Sequence, residues 1–473
     1  MTTQPRFTRG TLFIIIVSLV LLVWRAALFL YTPAPLGDAI WYLGQTYAYL
    51  SGHWLSVPFS FGYLQPYLLP YLYGILSMPF FAVFGASNLS LLAWNLLLLI
   101  LIGGLVLRLC QRFQLQSIPL KLLLVMVFIT SIYLYGPRPE VLNLVFLLII
   151  LSLFIDGGER PTSARLIIAG GLVAVMGLVQ PVGGVFGVLL IVIYGGWQRL
   201  PVRFFAITLG AVAVTVAVLY APVIAVDPQQ WFADFFVRHG MGDTRSAFDP
   251  MLYVKYSLLN PFIWVPFGAM LVMLVQQGRA RRAGIEIGLV VGLVVILTLF
   301  SRSYYFPYLT VYMVWRILAN GLPRLPLLIA VPVLLVMPFF SHYWVTVQTL
   351  DSPDYGQQVR AAQAAVAGYF EDEGASIIWV DATTALVAIE SPRARFYFTY
   401  YRRMAQVGIT LAPGDVMLFT NENVAKASLI NLDTPFEDLE LREIVPPSAR
   451  GLRALGESGT ENEAVGLWEL RRK

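Results

Sequence analysis

Long runs of apolar residues alternate with short polar segments from residue 11 to residue 344. A run of roughly 20 apolar residues, or fewer inside a bundle, is enough to cross the hydrocarbon core of a bilayer. A helix is expected for each run, because it satisfies its own backbone hydrogen bonds in lipid. The predicted spans, about eleven, are 11–31, 88–108, 118–135, 139–156, 164–180, 182–197, 204–225, 259–276, 283–300, 304–320 and 323–342.

The basic residues between the spans predict their orientation. If the further apolar stretch 67–85 crossed, Arg108, Arg112 and Lys121 would lie outside the cell. If 67–85 instead lies in the interface or re-enters, these residues and the other basic loops lie inside, as the positive-inside rule requires. The N-terminus is then cytoplasmic and the C-terminal segment is outside. The first span follows Arg6 and Arg9 without a small-residue cleavage site, so we expect it to be a retained anchor.

This orientation gathers the unusual polar residues at the predicted outer face, among them all three histidines. Two long outer loops, 32–66 and 226–258, are amphipathic and rich in aromatic residues. Apolar residues at helical spacing predict a helix on the membrane surface from Asp38 to Leu50. Such loops either cover a site or serve as interfacial anchors, and the sequence leaves both interpretations open.

The distribution of acidic residues along the chain predicts a domain boundary. With 58% hydrophobic and 12% charged residues and a mean hydropathy of +0.72, the chain is not a soluble globular protein. Nine of the 27 acidic residues precede residue 346, and eighteen lie in the last 128 residues. We therefore predict a transmembrane domain over 1–345, which the resemblance described below makes the catalytic domain, and a small extracytoplasmic α/β domain over 346–473, with buried strands at 376–381 and 415–420.

Several function classes lack their sequence signals. There is no nucleophile elbow, no HExxH motif, no phosphate-binding loop and no paired-cysteine metal site. The single cysteine, Cys110, excludes a disulfide within the chain. The sequence pI near 9.1 does not indicate nucleic acid, because the basic residues are spread between spans as topology signals.

The candidate functional residues are ionisable groups at the outer ends of spans, where burial is costly. Asp38 is either the N-cap of the surface helix or a general base, and the two roles are compatible. Arg25, in the outer half of the first span, either snorkels to the interface or faces the bundle and pairs with an anion. Arg138 and Glu140 lie in a tight outer connection and predict a local ion pair.

A second outer connection offers a cation beside two phenolic hydroxyls. Arg302, Tyr304 and Tyr305 suit recognition of a phosphate, although an aromatic belt at the interface explains the tyrosines equally well. The histidines His53 and His239 lie in the two long outer loops, either as ordinary polar residues or as substrate contacts.

The pattern as a whole resembles the GT-C superfamily of membrane glycosyltransferases, including its RgtA/B/C/D-like members and the related protein O-mannosyltransferases and aminoarabinose transferases. Their first outer loop is similar to Asp38-x-x-x-Tyr42 followed by Ala48-x-Leu50-x-Gly52-His53-Trp54. The stretch 64–71 looks like their following surface helix. Gly136-Pro-Arg-Pro-Glu140 and Arg302-Ser-Tyr-Tyr305 resemble two of their later outer connections.

The resemblance implies transfer of a sugar from a polyprenyl-phosphate-linked donor to a lipid, glycan or protein acceptor at the outer face of the plasma or inner membrane. Asp38 would be the general base, and Arg25, His53, Arg138, Glu140, His239, Arg302, Tyr304 and Tyr305 would contact substrate. Many relatives have a second acid beside the first, but position 39 is Ala39. We therefore expect no cofactor and doubt a divalent metal.

The competing interpretation is a multi-pass transporter or lipid flippase. Transporters commonly show internal repeats, helices broken in corresponding halves and ionisable residues at mid-membrane. Gln180-Pro-Val-Gly-Gly184 breaks a hairpin, but no counterpart and no clear repeat are evident. A receptor or assembly subunit is a third possibility. The expected partners are the lipid-linked donor, the acceptor and membrane lipids, without nucleic acid.

Overall fold

Apolar helices make up the first part of the structure, a computed structural model. It describes residues 9–31, 72–85, 87–131, 138–155, 161–226, 229, 261–276, 280–299, 306–320, 344–372, 374, 376–381, 383–388, 391, 393–396, 410–432, 434–449 and 464–473. Helices before residue 344 are α1 (Arg9–Tyr31), α2 (Leu72–Phe84), α3 (Asn88–Arg112), α4 (Ile118–Ile129), α5 (Pro139–Ile155), α6 (Ser163–Val179), α7 (Pro181–Trp197), α8 (Val202–Val226), α9 (Pro261–Gln276), α10 (Ala280–Leu299) and α11 (Phe306–Asn320).

Ten of the eleven predicted spans therefore fall on helices, and 323–342 lies outside the described residues. Three described segments, Arg9–Tyr31, Asn88–Arg112 and Val202–Ala221, are long and apolar enough to cross a membrane by themselves. The span predicted at 118–135 is too long, because α4 ends at Ile129 with Thr130 as its C-cap. The number of spans remains a prediction.

The described residues form two units, Met1–Arg25 with Asn95–Tyr343, and Ala26–Trp94 with Trp344–Lys473. In the first unit, α6 packs against α5, α7 and α8, and α11 packs against α9 and α10. Small residues allow the backbones to approach closely, as is common between membrane helices. A Cβ on Gly184 would lie 2.9 Å from the Cα of Gly177, and one on Gly170 would overlap the carbonyl of Thr208.

The second unit combines part of the apolar chain with the polar C-terminal region. Helices α12 (Trp344–Asp351) and α13 (Tyr355–Glu371) begin this region, and α14 (Ala385–Ala388) and α15 (Glu422–Asn431) follow. Arg360 on α13 donates to the carbonyl of Tyr31 at the end of α1 (3.3 Å). The rings of Tyr73 and Phe80 on α2 lie 5.9 and 5.5 Å from that of Trp94 on α3.

A mixed five-stranded sheet has the order β2-β1-β3-β5-β4. Its strands are β1 (Ile378–Val380), β2 (Ala394–Phe396), β3 (Val416–Phe419), β4 (Leu439–Val445) and β5 (Leu467–Arg472). β1 pairs in parallel with β2 and β3, whereas β5 is antiparallel to β3 and β4. Strands β1 and β3 lie where the sequence predicted buried strands. The outside location of this region and the 345/346 boundary stay predictions.

One buried carboxylate joins the carboxyl ends of the two central parallel strands. Asp381, which follows β1 and is 1% exposed, accepts hydrogen bonds from the backbone N–H groups of Thr383 (3.0 Å) and Thr420 (2.8 Å). The Thr420 hydroxyl also donates to it. A buried carboxylate with this many donors is satisfied without a ligand. Asp381 therefore serves the architecture of the sheet.

Candidate functional site

The beginning of α5 brings two of the predicted site residues together. The Nε of Arg138 donates to Oε2 of Glu140 (3.3 Å), and their side chains are 25% and 1% exposed. This confirms the predicted local ion pair. Glu140 lies in the first turn of α5, where the helix dipole favours a negative charge. The carboxylate is thus inside the protein while its cationic partner is partly accessible.

The junction between α6 and α7 supplies the next member of the site. Gln180 has an extended backbone (φ −166°, ψ 128°) and Pro181 follows it at the start of α7, which explains the predicted break. Gln180 is the N-cap of α7, but its side chain makes no capping hydrogen bond. Instead its Nε2 donates to Oε1 of Glu140 (2.9 Å). Both carboxylate oxygens of Glu140 therefore accept a hydrogen bond.

Helix α11 extends this arrangement. The hydroxyl of Tyr308 donates to Oε1 of Gln180 (3.1 Å) and accepts from Nδ2 of Asn143 on α5 (3.3 Å). Its ring centroid lies 5.3 Å from that of Phe186 on α7. Asn143, Tyr308 and Gln180 are buried, with exposed fractions of 0%, 2% and 8%. We call Arg138, Glu140, Gln180, Tyr308 and Asn143 the polar chain.

An apolar cavity adjoins the polar chain in the same unit. Helices α5, α7, α10 and α11 line it, and Tyr308 belongs to both the cavity and the polar chain. Its lining residues are Leu147, Phe186, Leu189, Leu190, Ile193, Leu293, Tyr308, Val311 and Tyr312.

Gly183 allows α7 to approach the polar chain. A Cβ at this position would overlap the side-chain amide of Asn143. We expect Gly183→Ala to lower the free energy of unfolding by about 1–3 kcal/mol, as overpacking does. Gly196→Ala, on the same helix with open space at its Cβ position, should be neutral or stabilising by up to about 1 kcal/mol. Thermal melting in detergent measures both, and an equal response would refute the close approach.

A second buried cluster lies in the same unit, where residues of α10 and α11 meet the C-terminal end of α7. Glu286 on α10 accepts from the Tyr312 hydroxyl (2.6 Å) and from Nε of Arg316 (2.7 Å), both on α11. The Arg316 guanidinium lies 3.7 Å from the ring centroid of Trp197 at the end of α7. Glu286 and Arg316 are 0% and 1% exposed. Neither Arg316 nor Tyr312 is among the residues predicted from the sequence, although an ionisable residue in an apolar helix indicates a buried partner.

Arg25 faces the interior of its unit and does not snorkel. It is 1% exposed, and its Nη1 donates to the carbonyl of Ile129 (3.2 Å) at the C-terminal end of α4, where the helix dipole favours a cation. Its predicted role in substrate binding stays a prediction. The other predicted site residues, Asp38, His53, His239, Arg302, Tyr304 and Tyr305, lie outside the described residues.

Comparison with solved structures identifies the fold class. The chain matches the crystal structure of ArnT from Cupriavidus metallidurans bound to undecaprenyl phosphate with a TM-score of 0.57, 13% identity and 97% of both chains covered. Its apo state gives a TM-score of 0.58 at the same identity and coverage. The resemblance to the GT-C membrane glycosyltransferases is therefore confirmed at the level of the fold.

A larger enzyme shares this fold. The cryo-EM structure of arabinofuranosyltransferase AftD from Mycobacteria matches with a TM-score of 0.54 and 13% identity, over 99% of this chain and 40% of that chain. No protein-family model and no curated protein matches the sequence. The fold assignment thus rests on structure, because sequence similarity at this level carries no family by itself.

Proposed function

We propose that the protein is a glycosyltransferase that moves a sugar from a polyprenyl-phosphate-linked donor to a lipid, glycan or protein acceptor at the outer face of the plasma or inner membrane. The observation that carries the proposal is the fold likeness over 97% of both chains to an ArnT structure that holds undecaprenyl phosphate. The partly exposed guanidinium of Arg138 supports it, because guanidinium groups bind phosphate oxygens with paired hydrogen bonds.

In the proposed reaction, the acceptor hydroxyl attacks the anomeric carbon of the lipid-linked sugar. A carbon–oxygen bond forms to the acceptor, the bond from the anomeric carbon to the phosphate oxygen breaks, and polyprenyl phosphate leaves with the bonding electrons. Asp38 takes the proton of the acceptor hydroxyl. Because the donor is already activated, the protein supplies positioning, a base and stabilisation of the phosphate charge.

The remaining predicted site residues divide between charge stabilisation and contact with sugar or acceptor. We assign Arg25, Arg138 and Arg302 to the phosphate, since guanidinium groups bind its oxygens with paired hydrogen bonds. Glu140 orients Arg138, whose Nε donates to Oε2 of Glu140 at 3.3 Å. Tyr304, Tyr305, His53 and His239 offer hydroxyl and imidazole groups to sugar or acceptor.

Purified protein, reconstituted with a lipid extract of its native membrane and an acceptor fraction, tests the proposal. Mass spectrometry should show loss of a polyprenyl-phosphate sugar and a matching gain of polyprenyl phosphate. Heat-inactivated protein is the control. If the active protein leaves every lipid-linked sugar unconsumed, the proposed function is wrong and the transporter interpretation takes its place.

The same assay tests the proposed absence of a cofactor. Ala39 removes the second acid that a metal site in the first outer loop would need. We therefore expect an excess of EDTA to change the initial rate by less than about twofold, because the mechanism has no Lewis-acid step. A loss of about tenfold or more that Mg²⁺ or Mn²⁺ restores would contradict metal-independent transfer.

A further inference from the structure

We propose that Gln180 and Tyr308 are positioning residues for donor binding: they hold Glu140, and through it Arg138, in the orientation that binds the phosphate of the lipid-linked donor. This inference rests on the proposed function and extends it to two residues on other helices. Neither residue needs to touch the substrate. Their effect reaches the donor through the carboxylate of Glu140 and the guanidinium of Arg138.

The hydrogen bonds of the polar chain have one consistent direction. Asn143 donates to Tyr308, Tyr308 donates to Gln180, and Gln180 donates to Glu140, at 3.3, 3.1 and 2.9 Å. Hydrogen bonds in such a row polarise one another, and each is stronger in a buried site than in water. The row ends at the carboxylate that also accepts from Arg138. The arrangement therefore fixes an anion and, with it, the cation beside that anion.

The side chain of Gln180 bonds within the polar chain and does not cap its own helix. A side chain at an N-cap ordinarily accepts a hydrogen bond from the first turn of its helix. Gln180 makes no such bond, and its amide bridges Glu140 and Tyr308 instead. From the junction of α6 and α7, its side chain therefore links the start of α5 to the start of α11.

Ordering the side chain of Arg138 before the ligand arrives lowers the entropy cost of binding. An arginine side chain loses much rotamer entropy when it becomes ordered, and that loss weakens binding if it occurs only when the ligand arrives. Arg138 is 25% exposed and so partly accessible, while its partner Glu140 is 1% exposed and accepts a hydrogen bond from the interior. Ordering Arg138 in advance favours phosphate binding.

The polar chain orients charge and does not conduct protons. The amide of Gln180 neither releases nor accepts a proton near neutral pH, so it interrupts any path from Tyr308 to Glu140. We therefore expect variants at Gln180 and Tyr308 to change the strength of donor binding at each pH by the same factor between pH 6 and 8. A change in the shape of the pH profile would indicate proton transfer instead.

Binding of polyprenyl monophosphate to the full chain in nanodiscs tests the inference. Tyr308→Phe, which removes one hydroxyl, should raise Kd about 3-fold, and Gln180→Ala should raise it about 10-fold, in line with lost hydrogen bonds to neutral and charged groups. Tyr194→Phe is the matched control: it removes a buried hydroxyl on α7 that donates to the carbonyl of Phe154 and belongs to neither the polar chain nor the cavity. It should lower the melting temperature and leave Kd unchanged.

A double-mutant cycle separates positioning from general loss of structure. Arg138→Gln keeps a hydrogen-bond donor beside Glu140 and removes the charge. In that background, Gln180→Ala should raise Kd by less than about twofold further, because no guanidinium remains to be positioned. A full additional 10-fold increase, or an unchanged Kd in the single variants, would overturn the inference and leave the proposed function standing. If the wild-type chain does not bind the lipid at all, both fall together.

Discussion

Replacing Asp38 with asparagine should lower the rate of sugar transfer by about 10²–10⁴-fold, the usual contribution of a general base. Asparagine keeps the size of the side chain and caps a helix about as well as aspartate, so the predicted surface helix keeps its cap. It does not accept a proton from the acceptor hydroxyl. Initial rates with the lipid-linked donor measure the loss, and the melting temperature should stay near that of the wild type.

Asp38→Ala completes this experiment. Alanine removes both the carboxylate and the cap, so activity should fall as in Asp38→Asn and stability should fall by about 1 kcal/mol in addition. If Asp38→Asn transfers sugar at nearly the wild-type rate while Asp38→Ala is only less stable, Asp38 is a helix cap. The base would then have to be sought among the other acids of the predicted outer face.

Breaking the buried pair of Glu286 and Arg316 should have the largest effect on stability. Arg316→Met leaves the Glu286 carboxylate, which is 0% exposed, without its charged partner and also removes the contact with Trp197. An uncompensated buried charge costs about 3–5 kcal/mol. We therefore expect a large fall in the melting temperature, or failure to purify a folded protein.

The double substitution Glu286→Leu with Arg316→Met distinguishes the charge effect from loss of packing. Replacing both members of a buried pair by apolar residues is often neutral or stabilising, so most of the lost stability should return. Lys426→Met is a control, since its pair with Glu422 is 62% and 48% exposed and should contribute about 1 kcal/mol or less. A double variant as unstable as Arg316→Met would contradict this account of the pair.

The predicted alternation of spans is compatible with the way the two buried clusters form. Charge between the spans places Glu140, Gln180 and Tyr308 at helix ends on one side, and the structure brings them within hydrogen-bond distance. It places Glu286 and Arg316 on the other side, where they form a pair. Both groups of contacts are compatible with the predicted alternation of spans, and the topology, including which side faces outward, remains a prediction.

The partners within the polar chain were beyond prediction from one sequence. Arg138 and Glu140 are two residues apart, so their pairing follows from local geometry. Gln180 and Tyr308 are 128 positions apart, and their contact depends on how α6, α7 and α11 pack. A polar residue at the end of a span indicates that it needs a partner, but not which one. The sequence did not predict that α4 ends at Ile129, because Thr130 begins only a short polar interruption in an otherwise apolar stretch.

A donor labelled separately in its sugar and in its phosphate tests the central claim most directly. Proteoliposomes containing the protein would receive this lipid together with an acceptor, and both labels would be followed in the separated products. Transfer predicts that the sugar label moves to the acceptor while the phosphate label stays with the lipid, in equal amounts, and that Asp38→Asn suppresses this separation. If the two labels remain on one lipid that merely changes leaflet, the protein is a flippase and the account of transfer is wrong.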